Sequence, residues 1–216
     1  MTREEILPIA KPMLYNTEMT IAIVNYRKKA TRRIAKGIIP FDDHCEYFNV
    51  FKRGEWSGPL TKEQVIEEYA PCKVGDYLYV RETWSFWPCW DCDAYCNGCR
   101  TFYNNLNGCF VYRTQKCKTP YGEKWHPSIH MPKEAARIFL RVTDVRVERL
   151  QDMTLEDFLS EGVVLRPEAF NDPENAYQQA KRIFIGIWDS TTNELKYKWE
   201  NNPWVWVIGF EKVEVQ

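Results

Sequence analysis

The chain carries IVNYRKKATRR at residues 23–33, where an apolar run passes directly into a basic one. Five cations fall within seven residues of this segment: Arg27, Lys28, Lys29, Arg32 and Arg33. On its own, the segment has two open interpretations. It is either the solvated basic end of a helix or a loop that binds an anion or a base edge. Arginine suits the second role because its planar guanidinium offers a fork of donors, and lysine adds a charge that its surroundings can tune.

A helix is predicted just before the basic residues. Asn16 and Thr17 are favourable N-cap residues ahead of the apolar run 19–24. We predict the helix over about residues 17–27. Its basic C-terminal end would complement the negative end of the helix dipole. A basic loop is then predicted over residues 28–37.

Three further helices are indicated. The patterns TKEQ (61–64) and TLED (154–157) are capping boxes, which mark helix starts. The first of these helices is predicted to run through Tyr69, and the second to end at Glu161-Gly162, because glycine favours the C-terminal cap. Apolar residues at helical spacing over residues 173–190 predict the third.

Strands are predicted between these helices. YLYVRE (77–82) alternates in the manner of a strand and puts a carboxylate on its apolar face, where Glu82 continues from Leu78 and Val80. Longer strand patterns cover residues 137–150 and 204–215. Helices and strands of unequal length alternate without βαβ spacing, which predicts the α+β class.

Composition limits the class of partner. The 216 residues are 44% hydrophobic and 15% aromatic, which indicates a packed globule. The aromatic residues are explained by a β-rich core or by flat faces that stack on bases. A net charge of −1 excludes a general polyanion-coating protein, so a nucleic-acid contact must be local or the ligand small.

Targeting signals are not evident in the sequence. The N-terminal residues MTREEILPIAKPM contain acids and no long apolar run, which argues against a signal peptide. No stretch approaches the length needed to cross a bilayer. We therefore expect a cytoplasmic protein without a membrane partner, in which cysteines are thiols or metal ligands rather than disulfides.

A cysteine-rich segment interrupts the pattern over residues 86–124 and is predicted to be an insert. Two C-x-x-C pairs within it predict a metal site, for which we favour a structural zinc ion held by Cys89, Cys92, Cys96 and Cys99. The three-residue gap between the pairs is short for one zinc site, so Cys109 and Cys117 are alternate ligands. An iron–sulfur cluster and a set of reduced thiols stay open. No organic cofactor is indicated.

The order and spacing of several segments resemble the ASCH family. Residues 23–33 resemble its signature, a helix followed by G-R-K-T-x-T-x-R, and VGDYLYVRETW (74–84) resembles the strand after its Gly-Asp turn. Residues 150–162 and the strand 204–210 are similar to its C-terminal half. KWHPSIHMP (124–132) is similar to a stretch of the longer phage and prophage members. The resemblance implies one ASCH domain over residues 1–216, a PUA-like small β-barrel with flanking helices.

The resemblance also implies a function. The cleft of such a barrel, between the basic loop and the short helix, handles RNA or a modified nucleoside. Small bacterial ASCH proteins include an amidohydrolase, a hydrolase of N4-acetylcytidine, whose catalytic lysine, threonine and glutamate fall by motif position on Lys28, Thr31 and Glu161. The signature's last arginine falls on Arg33. Tyr26 stands where the family has glycine, and Lys29 where it has threonine.

Secondary ligand candidates complete the predicted site. Arg27, Arg32 and Arg33 are expected to contact the ligand. Glu82 and His130 are further candidates. The plainer alternative for Glu82 is an internal ion pair with Arg81, and for His130 it is a packed, hydrogen-bonded loop residue. His126 and His130 lie four apart, but Pro127 and Pro132 argue against a metal-binding helix there. The alternative function is a non-catalytic nucleic-acid-binding module with a zinc-stabilised insert.

Overall fold

The computed structural model describes residues 1–41, 46–88, 101–103, 106–115 and 124–215. The α-helices in these residues are α1 (Arg3–Ile9), α2 (Thr17–Val24), α3 (Lys62–Tyr69), α4 (Leu155–Ser160) and α5 (Pro173–Thr191). The strands are β1 (Lys11–Leu14), β2 (Ala30–Ile34), β3 (Ile38–Pro40), β4 (Tyr47–Lys52), β5 (Glu55–Trp56), β6 (Leu60–Thr61), β7 (Tyr77–Arg81), β8 (Trp84–Pro88), β9 (Thr101–Tyr103), β10 (Leu106–Tyr112), β11 (Phe139–Arg149) and β12 (Trp204–Val213). The predicted α+β class is confirmed. The described strands form three sheets, and none of these closes into a barrel.

The chain divides into two compact units. The first comprises Met1–Val24, Tyr77–Leu140 and Lys212–Gln216, and the second Asn25–Asp76 and Arg141–Glu211. In the first unit β1 pairs in parallel with β7, whose Val80 N–H donates to the carbonyl of Ile138. A separate antiparallel sheet has the order β8-β10-β9. The core of this unit is an apolar cluster that includes Ile6, Trp84, Phe86, Met131 and Phe139.

The second unit contains the basic segment. In it β12 lies between β11 and β2, and β2 pairs antiparallel with β12 through residues such as Thr31 opposite Ile208. A second sheet is built from β3 to β6 around β4. The core on the helical side is rich in aromatic residues: Phe158, Phe184, Trp188 and Trp199 are buried together with Leu150 and Val205.

Most of the predicted helices and strands are confirmed. Both capping boxes form, and α3 ends at Tyr69 as predicted. The amphipathic pattern over residues 173–190 corresponds to α5, which buries Ala176, Ala180, Phe184 and Trp188 at helical spacing. Along β7, the predicted face of Leu78, Val80 and Glu82 is buried. No helix in the described part of the chain is both long and apolar enough to span a bilayer.

The basic segment differs from its prediction. Helix α2 ends at Val24 rather than near residue 27, and residues 30–34 form a strand where a loop was predicted. Tyr26 has a φ of 57°, in the left-handed region, which ends helical geometry ahead of the cations. Pairing with the long apolar strand β12 then overrides the polar character of Thr31, Arg32 and Arg33.

Candidate functional site

The basic loop between α2 and β2 wraps around the C-terminal end of α4. The Lys29 N–H donates to the Ser160 carbonyl at 2.7 Å, and Lys28 Nζ donates to the Glu161 carbonyl at 2.8 Å. Arg27 Nη1 donates to the Gly162 carbonyl at 3.4 Å. The last carbonyls of a helix lack partners within the helix, and the negative end of its dipole favours cations. The loop therefore satisfies three successive carbonyls at the position where positive charge is most favourable.

The geometry of α4 places Glu161 beside this loop. Thr154 caps the helix start through reciprocal hydrogen bonds with Asp157, and Glu161 is the C-cap residue. Gly162 follows with a φ of 95°, a conformation that side-chain-bearing residues rarely adopt. The chain turns there, and the Glu161 carboxylate stays against the basic loop.

A pair of glycine substitutions tests this turn. Gly162→Ala is expected to lower the free energy of unfolding by about 1 kcal/mol, because alanine is strained at positive φ. Gly186→Ala is the matched control, since Gly186 lies inside α5 with open space around its Cβ position. It is expected to raise the same free energy by about 0.7 kcal/mol through helix propensity. Urea unfolding followed by circular dichroism measures both free energies. If both substitutions raised the free energy of unfolding, or both lowered it, the left-handed turn at Gly162 would not be what distinguishes the two positions.

A short ion pair joins Lys28 to Glu161. Lys28 Nζ lies 2.5 Å from Glu161 Oε2, and the two residues are 4% and 6% exposed. Burial lowers the pKa of the Lys28 ammonium below its ordinary value of 10.5, and the adjacent carboxylate offsets only part of this effect. The positive charges of Arg33 and Arg32 lower the same pKa further. The pair thus combines a carboxylate with an amine that gives up its proton more readily than a solvated lysine.

Arg32 contacts two carboxylates, those of Asp157 in α4 and of Glu161 at its C-cap. Its side chain is buried, with Nη2 2.8 Å from Asp157 Oδ1 and Nη1 3.4 Å from Glu161 Oε1. Its Nε lacks a hydrogen-bond partner among the described residues. Arg32 therefore fixes Glu161 and Asp157 in place, which gives it a positioning role beside the ligand contact that the sequence predicts.

The ion-pair network continues outward through residues that the sequence analysis did not select. Arg146 contacts Asp144 at 2.7 Å and Glu148 at 2.9 Å on β11. Burial alone would raise the pKa of Asp157, but hydrogen bonds from Thr154 and Arg32 together lower it. The capping box marked Asp157 as a helix start only. Its second partner lies 125 residues away, so no local pattern could identify it.

The remaining residues of the predicted loop lie on β2 or next to it. Thr31 is buried opposite Ile208, and strand alternation puts Thr31 and Arg33 on the face away from Arg32. Arg33 is half-buried, and Arg27 is exposed. The structure therefore brings Lys28, Arg32 and Glu161 together directly, while the catalytic role of Thr31 stays a prediction.

Glu82 and His130 belong to the first unit. Glu82 is buried and accepts two hydrogen bonds from Arg137, from Nε at 2.9 Å and from Nη2 at 3.1 Å. Thr114 donates to the same carboxylate at 2.6 Å. Glu82 is thus part of an internal ion pair, but its partner is Arg137 and not the adjacent Arg81 that the sequence suggested. His130 is exposed at the end of the short 3₁₀ turn Ser128–His130.

The predicted metal ligands Cys89, Cys92, Cys96, Cys99 and Cys117 lie outside the described residues, and so does Cys45. Cys109 is half-buried on β10, and Cys72 is buried. Elsewhere in the described ranges, no three His, Cys, Asp or Glu side chains are grouped closely enough to hold a metal ion. The zinc site stays a prediction.

The resulting candidate site is a buried amine, a carboxylate and a guanidinium contributed by the basic loop, α4 and β2. Such a group can exchange a proton between Lys28 and Glu161 and can stabilise negative charge. Searches against protein-family models, curated proteins and solved structures found no match to this chain.

Proposed function

We propose that this protein is an ASCH-type, PUA-like protein that binds RNA or a modified nucleoside at the Lys28 site and hydrolyses the N4-acyl amide of acylated cytidine. The carrying observation is the buried pair of Lys28 Nζ and Glu161 Oε2, 2.5 Å apart. The two residues are 133 positions apart in the chain, and they are the lysine and the glutamate that the family motif pairs.

The backbone at Tyr26 supports the same assignment. The ASCH signature has glycine at this position, and the φ of 57° found at Tyr26 lies in the region that favours glycine. The left-handed backbone at Tyr26 therefore supports the alignment of residues 23–33 with the signature. The pairing of β2 with β12 and the position of α4 beside the loop support the PUA-like arrangement.

The proposed reaction uses water and leaves cytidine and acetate. The neutral amine of Lys28 takes a proton from water, and the oxygen attacks the carbonyl carbon of the acyl group. The C–N bond then breaks, and the Lys28 ammonium returns a proton to the departing N4 amine. Glu161 orients the amine throughout, and Arg32 fixes Glu161. Thr31 and Arg33 lie on the face of β2 away from Arg32, so the roles that the resemblance implies for them are not used in this reaction.

The pH dependence of hydrolysis tests the role of Lys28. Because the base must be unprotonated, kcat/KM for N4-acetylcytidine is expected to rise with pH and to level off above the pKa of Lys28. Burial lowers that pKa, so the midpoint should lie below 10.5. Chromatographic assays over pH 5 to about 10 measure the profile. N4-acetylcytidine that stays intact at every pH, while unmodified cytidine binds, would contradict hydrolysis.

A second function, a non-catalytic nucleic-acid-binding module, is favoured by one observation. Arg27 and Lys28 donate to the carbonyls of Gly162 and Glu161, just beyond α4, so these cations have a structural use without catalysis. Such a module would bind oligonucleotides through Arg27 and Arg33, with an affinity that falls as salt rises and without turnover. The zinc-stabilised insert predicted for residues 86–124 would add contact surface.

A further inference from the structure

The β4–β5 hairpin of the second unit presents two aromatic rings on its outer face. Phe51 of β4 pairs in register with Trp56 of β5, and their ring centroids lie 5.0 Å apart. Phe51 is 46% exposed and Trp56 is 55% exposed. Phe48 and Val50 alternate with these positions and are buried, so the same strand supplies both the core and the exposed rings.

The base of the hairpin is fixed to the rest of the unit. Phe48 packs edge-on against the Trp204 ring at 5.0 Å, and the Phe51 N–H donates to the Gly37 carbonyl at 2.8 Å. A Cβ at Gly37 would lie 2.3 Å from the Phe51 carbonyl oxygen, so glycine allows this close approach. The exposed rings therefore stand on a rigid support.

The turn of the hairpin carries a cation in an unfavourable conformation. Lys52 pairs with Glu55, and the two turn residues, Arg53 and Gly54, have φ values of 55° and 91°. Turns with positive φ at both positions favour Asn-Gly, because asparagine adopts the left-handed region more readily than arginine. An arginine held there against its backbone preference indicates a role for its side chain.

A polar pocket adjoins the Trp56 ring. It has a volume of about 320 Å³, and its lining includes Lys52, Arg53, Glu55, Trp56 and Tyr69. Lys52 Nζ lies 5.2 Å from the centre of the Tyr69 ring. Two cations against one carboxylate leave the lining positive, although the whole chain has a net charge of −1. Positive charge next to exposed aromatic faces fits a phosphate beside an unstacked base.

We propose that the β4–β5 hairpin is a binding surface for single-stranded nucleic acid. Bases stack on Phe51 and Trp56, and Arg53, at the turn, contacts the phosphate that connects them. A duplex hides the faces of its bases, so the surface selects single strands. This proposal does not rest on hydrolysis at Lys28, since an unmodified oligonucleotide has no acyl amide.

Fluorescence anisotropy with labelled twelve-nucleotide oligouridine and oligothymidine tests the surface. Trp56→Ala is expected to weaken binding about tenfold, and Trp56→Phe, which keeps a ring, less than about threefold. Arg53→Asn is expected to raise the melting temperature by about 2 °C and to reduce the slope of log K against log salt by about 0.7. An Arg53→Asn variant that is more stable but binds more weakly would show that Arg53 contacts the ligand, because a purely structural residue would not lose affinity while stability rises. Stronger binding of uridine indicates RNA, and equal binding indicates either nucleic acid.

Phe170→Ala and Arg182→Asn serve as matched controls, because both residues are exposed in the same unit. They are expected to leave the affinity within about twofold of the wild type. Turnover of free N4-acetylcytidine by Trp56→Ala is expected to match the wild type. The turnover assay therefore tests hydrolysis at Lys28, and the anisotropy assay independently tests binding at the hairpin. The proposal is overturned if the wild-type protein binds neither oligonucleotide, binds duplex equally well, or loses no affinity in Trp56→Ala and Arg53→Asn.

Discussion

Lys28→Met is expected to lower kcat/KM for N4-acetylcytidine by about a thousandfold, because it removes the proposed general base. Methionine keeps an unbranched side chain of similar length in the buried position but cannot accept a proton. Glu161 retains its second partner, since Arg32 Nη1 lies 3.4 Å from Oε1. The variant should therefore fold, with the loss confined to the chemical step. Chromatographic assays of cytidine release measure the rates.

Lys29→Met is the matched control for this variant. Lys29 is the next residue of the same loop, and its side chain is exposed. The substitution removes the same charge from the same segment but leaves the buried pair intact. We expect kcat/KM within about threefold of the wild type, and circular dichroism should show that both variants are folded. A Lys28→Met protein with more than a tenth of wild-type activity would exclude Lys28 as the base.

The predictable part of the fold is the part that local physics determines. The capping boxes at Thr61 and Thr154 form because the side chains that satisfy the first turn are three residues apart. Helix α5 follows its apolar spacing for the same reason, since its buried face is written into one continuous segment. In both cases the residues that decide the structure are neighbours in sequence.

The unpredicted part depends on long-range contacts. Residues 30–34 are too basic to predict as a strand, yet they pair with the apolar strand β12, which lies more than 170 residues further along. The left-handed backbone at Tyr26 could not be predicted from the sequence, because tyrosine rarely adopts this conformation. The resemblance to the ASCH signature selected Lys28 and Glu161 for one site, and the structure places them in contact.

Partner choice among charged residues is the hardest feature to predict. Sequence reasoning considered Arg81 as the partner of Glu82 because the two are adjacent, whereas the structure pairs Glu82 with Arg137. Adjacent residues on a strand point to opposite faces, so they are poor candidates for a direct pair. The same limit applies to Arg32, whose contact with Asp157 joins a strand to a distant helix.

Removing Arg137 is expected to destabilise the first unit more than removing its partner Glu82. The Glu82 side chain is 1% exposed, so Arg137→Met leaves a buried carboxylate without its counter-ion, and the Thr114 hydroxyl still donates to it. We expect a loss of about 4 kcal/mol in the free energy of unfolding. The Arg137 side chain is 31% exposed and stacks over the Tyr112 ring at 4.3 Å. Glu82→Met therefore leaves a cation that can be hydrated, at a cost of about 2 kcal/mol.

The double variant Glu82→Met/Arg137→Met completes the test of this ion pair. With both charges replaced by apolar side chains, no buried carboxylate is left uncompensated, and the loss should fall to about 1 kcal/mol. Arg141→Met controls for the removal of an arginine, because the Arg141–Glu211 pair is more than half exposed and should contribute less than about 0.5 kcal/mol. Urea unfolding at pH 7 gives all four values. If Glu82→Met proved more damaging than Arg137→Met, then hydration of the remaining charge would not be what sets the cost.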